Sequence, residues 1–329
     1  MSKNLPKGKK AEFLKFYSQL RREASIKECT LLNNTNDPCD GKIVNAHSIQ
    51  RGKILQSISE NGEVFELAFE IHDEIEPSIK FKRVGIKKFS TFSGFCSKHD
   101  KKIFQPIEDQ PFINSPEQQM IYAYRAIAKE LHTKKESRRL NSIFAKDPVQ
   151  SMQLIQDIND LKRLSDYTYS KLINQNFSEI IHYSFVLEDV YPIACNSIFI
   201  PYYDMDGNSV FSKSEYNRIQ TSNPPVEESP FIILNVFPEG DKTYILVSHV
   251  NSRITDFGFL KVLFNKNNVE FTNSISQIML THCENVGFDP KYIDTKFSIE
   301  EKTKIQNFFK KTMLDRANYY SNDVNLFRK

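Results

Sequence analysis

The chain has no tryptophan and only 10 glycines among 329 residues, and neither G-x-G-x-x-G nor G-x-x-x-x-G-K-[ST] occurs in it. Both phosphate-cradling turns need glycine where backbone must approach the ligand, so the two common nucleotide-binding loops are excluded. No apolar run reaches the roughly 20 residues that would span a bilayer, and the N-terminal residues lack the apolar core of a secretory signal. A membrane partner is therefore not expected. The formal charge of +3 is too small to mark a nucleic-acid binder by itself. The five cysteines are odd in number and widely spread, in a chain too long to need disulfide staples. A cytoplasmic, reducing location follows, where cysteines that cluster with histidine more often mean metal than disulfide.

What is present is a globular composition with a local excess of charge. Two residues in five are hydrophobic and a quarter are charged. Residues 1–27 carry eight lysines and arginines against Glu12 and Glu23. Lys9, Lys10, Arg21 and Arg22 are candidate contacts to nucleic-acid phosphates, which supply most sequence-independent affinity. A solvated basic terminus would carry the same pattern. Phe13, Phe16, Tyr17 and Leu20 recur at helical spacing, so an amphipathic helix is expected over 11–24.

Cys96-Ser97-Lys98-His99 is a C-x-x-H turn, short enough to aim a thiolate and an imidazole at one ion. Cys29 and Cys39 lie upstream, separated by a turn-rich loop that includes Asn33-Asn34-Thr35-Asn36-Asp37-Pro38. Together Cys29, Cys39, Cys96 and His99 make a candidate structural zinc site. His47 is a fifth candidate. It ends a strand-like run over 42–47, and a set of Cys39, His47, Cys96 and His99 would also complete a tetrahedron.

Those residues, with a strand ending in His47 and a later C-x-x-H-D turn, resemble the HNH, or ββα-metal, nucleases. The resemblance covers about 75 residues and implies a treble-clef zinc domain. By position it implies Cys29 and Cys39 as the first zinc pair, Cys96 and His99 as the second. It implies His47 as the general base and Asp100 as a ligand for Mg²⁺ or Mn²⁺, an ion that suits an oxygen donor. The sequence departs from the family at Ala46, where many members carry a ligand, at Asp100, which replaces histidine, and at Ser90-Thr91-Phe92-Ser93-Gly94, where the middle asparagine is missing. Ala46-His47-Ser48-Ile49-Gln50, Thr91-Phe92-Ser93-Gly94-Phe95-Cys96 and Leu234-Asn235-Val236-Phe237-Pro238 also resemble segments that occur together in an uncharacterised bacterial family, which implies that the C-terminal half belongs to the same unit.

The fold class expected is α+β. A basic helix over 1–28 precedes a zinc-binding HNH-like domain over 29–108, a helical linker region over 109–175 and a mixed α+β C-terminal domain over 176–329. A helix is expected over 49–59 and strands over 64–71 and 79–86. Ser115-Pro116-Glu117 opens a helix, a second covers about 148–174, and Lys134, Lys135, Arg138 and Arg139 are placed between the two as an exposed basic cluster. Strands are expected over 181–187, 193–200, 231–237 and 243–249, the last pair joined by Pro238-Glu239-Gly240-Asp241. A helix is expected over 274–285, and a capping box at Ser298-Ile299-Glu300-Glu301 opens a last one reaching about residue 319. Asp204-Met205-Asp206-Gly207-Asn208 has its glycine misplaced for a calcium loop and is read as a hairpin turn. Cys195 and Cys283 are read as core thiols. The function expected from the resemblance is metal-dependent cleavage of nucleic acid, DNA before RNA, with bacterial or phage defence as its setting. The alternative is a non-catalytic zinc module that binds nucleic acid or a partner protein.

Overall fold

The computed structural model describes residues 7–34, 36–70, 78–221, 230–253, 257–316 and 318–329, except the side chains of 7–11, 13, 14, 70, 218–221 and 253. It is a mixed α+β protein. Seven antiparallel strands form its main sheet, in the spatial order β3 (Ser78–Gly85), β2 (Glu63–Glu70), β9 (Val286–Phe288), β6 (Ile193–Phe199), β7 (Ile232–Glu239), β8 (Lys242–Val250) and β5 (Ile180–Leu187). A separate two-stranded ladder pairs β1 (Ile43–His47) with β4 (Thr91–Cys96).

The period of two sorts the central strands into two faces. Ile193, Cys195, Leu234, Val236, Ile245 and Val247 point into one core with helices α7 (Asn268–His282) and α9 (Ile299–Leu314). Ile198 and Ile233 point the other way, against α3 (Pro116–Ile143) and α4 (Pro148–Ile173). Helices thus cover both faces of the sheet. The β7–β8 turn is the expected one, with Gly240 at φ +65° and Glu239 opposite Lys242. Asp204 to Asn208 is a turn between the bridged residues Tyr203 and Ser209, with Asp204 Oδ1 accepting from the Asp206 and Asn208 amides. Cys195 and Cys283 are both buried.

Several helix boundaries differ from expectation, each for a visible local reason. Helix α7 starts at Asn268 because the Asn267 side chain accepts from the Val269 and Glu270 amides, an N-cap worth about 1 kcal/mol in comparable cases. Helix α9 has the reciprocal Ser298–Glu301 capping box but stops at Leu314. Residues 49–59 do not form a regular helix. They make a π-helical turn at Arg51–Leu55, and the side chains of Gln50, before it, and Lys53, within it, donate to the Glu108 and Gln110 carbonyls. Nor do Lys134, Lys135, Arg138 and Arg139 lie between helices, because α3 runs through them. Lys134 pairs with Asp157 at 2.8 Å and Lys135 with Glu28 at 3.0 Å.

Two elements fix the N-terminal region. Helix α1 (Lys7–Ala24) is anchored where Phe16 and Tyr17 meet Phe144 edge-on, with centroids 6.1 and 6.5 Å away. Helix α2 (Ser97–Glu108) follows β4 directly and packs Phe104 against Phe95 and Tyr124. One apolar cluster holds Cys29, Ile58, Phe95 and Phe104 together with Ala194, Phe237 and Leu246 of the main sheet. The hairpin β2–β3 is sequence-local to the cysteines yet belongs to the seven-stranded sheet. Stretch 109–175, expected as a helical linker region, holds α3 and α4, and α3 buries residues 120–128 almost completely. No helix among the described residues is long and apolar enough to cross a membrane.

Candidate metal centre and its surroundings

Four donors meet at the N-terminus of α2. Cys29 arrives on a segment held beside β4, where the Glu28 amide donates to Ser93 O and the Thr30 amide to Gly94 O at 2.8 Å. A side chain at Gly94 would come within 2.7 Å of the Phe92 ring, so this strand tolerates only hydrogen there. Cys39 comes from the following loop. Cys96 ends β4 and is the N-cap of α2, and His99 follows in its first turn.

Cys96 makes no side-chain cap, and Asp40 supplies one from outside. Its carboxylate accepts from the Lys98 amide at 3.0 Å and from the Ser97 hydroxyl, and also from the Lys42 amide. These donors hold the Asp40 carboxyl down at about 2. The loop bearing Cys39 is thereby clamped to the helix bearing His99.

The Sγ atoms of Cys29, Cys39 and Cys96 lie 3.3, 3.5 and 3.3 Å from one atom, His99 Nδ1. All four donor atoms fall within 4.8 Å of each other, and His99 is fully buried. In a zinc tetrahedron with ordinary Zn–S and Zn–N bonds the sulfur–nitrogen edge is about 3.6 Å, so the spacing fits. The opposite ring nitrogen, His99 Nε2, donates to Asp37 O at 3.0 Å, which leaves Nδ1 with its lone pair toward the thiols. Asp37 is itself held by Lys98 and Lys102. This is the outer support that metal-bound histidines commonly have. Without a counter-charge, burial and the neighbouring thiols push Cys39 up to about 12, and burial raises Cys29. A divalent cation would reverse that by binding the thiolates and releasing their protons. The cluster could hold a metal ion, and its three sulfurs and one imidazole are consistent with zinc.

His47 lies outside this cluster. It ends β1 opposite Thr91, and its Nε2 donates to Ile86 O at 3.1 Å. Burial, its largest influence, lowers its pKa and keeps the ring neutral. Asp100, one residue beyond His99, is half-buried, and burial pushes its carboxyl up to about 6. His47 and Asp100 feel the same two charges, Arg125 and Glu108, which pair at 2.6 Å. Ser90 is occupied structurally. Its hydroxyl bonds Ser48 and takes the Ile49 amide, while Thr91 donates to Lys88 O. Among the described residues no second group of three or more His, Cys, Asp or Glu side chains converges as the zinc-like cluster does.

Arg21 and Arg22 are exposed on α1. Lys9 and Lys10 fall on its first turns, and their side chains lie outside those described. Two features of this region had no usable sequence signal. Asp40 reads as one more loop aspartate until its hydrogen bonds are seen. Arg125 sits within an apolar helix face, only 1% exposed, stacked 4.2 Å from the Phe104 centroid. Comparison with known proteins found no family model, no curated protein and no solved structure that matches the chain.

Proposed function

We propose that this protein is an HNH-like, metal-dependent endonuclease acting on nucleic acid, with DNA as the first substrate to test. The observation that supports it most is the position of His47. The four-donor cluster is complete without it, and the carbonyl of Ile86 accepts a hydrogen bond from Nε2–H, which makes Nδ1 the acceptor nitrogen of a neutral ring. That is the state a general base needs. The order of parts also suits the reading. A cysteine-bearing loop precedes a β1–β4 ladder, and α2 then carries Cys96, His99 and Asp100 at its start, as in a treble clef.

In this reading His47 Nδ1 accepts the proton of an attacking water, whose oxygen bonds phosphorus as the P–O bond to the leaving sugar oxygen breaks. A Mg²⁺ or Mn²⁺ ion, when bound, supplies positive charge to the phosphate and to the departing oxygen. Asp100 is the carboxylate that would hold it. Lys9, Lys10, Arg21 and Arg22 of α1 would contact flanking phosphates.

A second reading is favoured by one fact: Asp100 has no companion donors clustered with it among the described residues. The module would then bind nucleic acid or a partner protein without cleaving. Plasmid nicking in Mg²⁺ or Mn²⁺, with wild type beside His47→Ala, separates the two. Cleavage lost in His47→Ala supports the nuclease. Equal cleavage by the variant, or none by the wild type on DNA or RNA, removes it.

A further inference from the structure

The main sheet is forked, and the fork is a cleft that neither reading above uses. Strand β9 is three residues long but lies between an eight-residue strand, β2, and a seven-residue strand, β6. It meets β2 at a single register pair, Phe65 opposite Phe288, and leaves β6 after Val286 opposite Cys195. Beyond those points β2 and β6 run on with no strand between them among the described residues. Residues 66–69 and 196–198 line the resulting cleft of about 450 Å³, within the range of small-molecule sites. Helix α3 closes it on one side, residues 88–91 on another, and Arg21 of α1 reaches it.

Its lining has an uneven charge balance. Lys129, Lys88 and Arg21 come from three different elements, and none has an ion-pair partner within 4 Å among the described residues. Among the described residues the ammonium of Lys129 donates to the Thr133 hydroxyl at 3.0 Å and lies 6.0 Å from the Phe92 ring centroid. Of the carboxylates, Glu284 is spent on Arg316, Glu130 lies 3.8 Å from Lys134 and also acts on Lys129, and Glu66 is the third. Burial raises Glu66 and lowers Lys129, so both charged forms are disfavoured there, and an anion would restore only the lysine.

Two further features narrow the ligand. Asn196 lines the cleft and is 3% exposed; its amide nitrogen donates to Asn235 Oδ1 at 2.6 Å, while its own Oδ1, like Asn235 Nδ2, has no hydrogen-bond partner among the described residues. A buried acceptor left without a donor is destabilising, so an N–H from a ligand would relieve it. Phe69, by contrast, leaves 44% of its surface exposed at the cleft wall. Inorganic phosphate would use the cations alone, and an apolar ligand would strand them.

We propose that this cleft binds a mononucleotide, with its phosphate drawn to Lys129, Lys88 and Arg21, its base covering Phe69, and a base N–H on Asn196 Oδ1. The proposal shares Arg21 with the nuclease reading and is otherwise independent of it. It needs neither zinc nor His47.

Calorimetric titration of the full-length protein with AMP, GMP, CMP, UMP and inorganic phosphate tests it. At least one nucleotide is expected to bind about tenfold more tightly than phosphate. Lys129→Met should weaken that binding about tenfold, as expected for loss of a charge-assisted hydrogen bond. Lys88→Ser and Arg21→Ser, both on exposed residues, should each weaken it several-fold and keep the test readable if Lys129→Met does not fold. Nucleotides that bind no better than phosphate, or that bind all three variants as they bind the wild type, overturn the proposal.

Discussion

Asn285 donates from Nδ2 to the Ser48 hydroxyl at 2.9 Å, joining the residue after His47 to the apex of the forked sheet across 237 positions of sequence. The same amide also donates to Asn196 O. Ser48 is 1% exposed and its hydroxyl bonds Ser90 as well, so the three side chains form one polar network at the edge of the cleft that Ser90 and Asn285 line. Removing one member leaves others unsatisfied. Ser48→Ala and Asn285→Ala should each cost about 1–2 kcal/mol, and the double variant less than their sum, because both remove the same bond. Urea unfolding of the three proteins checks this, and strict additivity would show the bond to be energetically idle.

The metal centre makes a sharper demand. Cys29, Cys39, Cys96 and His99 supply all four donors, so one zinc per chain is expected, and it should vanish in Cys29→Ser and Cys96→Ser but persist in His47→Ala. Chelation should lower the melting temperature by many degrees, since structural zinc contributes on the order of 10 kcal/mol in small zinc domains. Elemental analysis beside thermal melts decides it. Retention of zinc in Cys29→Ser with its loss in His47→Ala would make His47 a ligand and remove the proposed base.

How much of this was legible beforehand follows from which interactions are local. Cys96 and His99 share one turn, so their spacing announced a metal site. The Ser298 capping box and the Gly240 turn are equally local, and both stand where they were expected. Strand β9 was missed because three residues carry no period. The helix expected over 49–59 is instead a π-helical turn, because Gln50 and Lys53 bond the far end of α2, about 58 residues away. The cleft could not be read at all. Its lining comes from α1, β2, the 88–91 loop, α3, β6 and α9, and only the topology of the sheet brings them together.

Partly buried histidines give the protein a predictable weakness to acid. Burial holds His182 and His282 down at about 3, against 6.5 for a free imidazole. His182 nevertheless has a partner, Ser248, at 2.7 Å from Nδ1. Because the folded value is the lower one, the unfolded chain binds the extra proton between pH 6.5 and 3, and stability falls as pH drops through that window. Each histidine contributes up to about 1.4 kcal/mol per pH unit there. Urea midpoints measured from pH 7.5 to 5 should decline, and His182→Gln should flatten the decline by roughly one histidine's share. An unchanged slope in that variant would mean His182 is solvated in the folded protein.

Arg125 tests how a buried cation is tolerated next to the proposed base. Its guanidinium is 1% exposed, meets Glu108 at 2.6 Å and stacks on Phe104, while its Nε and Nη1 have no hydrogen-bond partner. Glu108 itself keeps 37% of its side chain exposed, so solvent weakens the pair. The planar stack on Phe104 and the single charge-assisted bond therefore carry the interaction, at about 2–3 kcal/mol together. Arg125→Met keeps apolar volume without the buried charge and should cost less than Glu108→Ala, which leaves the guanidinium with no counter-ion. Arg125→Lys should not restore wild-type stability, because an ammonium cannot stack as a flat guanidinium does. Chemical denaturation of the three variants ranks them, and a lysine variant equal to wild type would show that charge alone, not the stacked plane, is what this site needs.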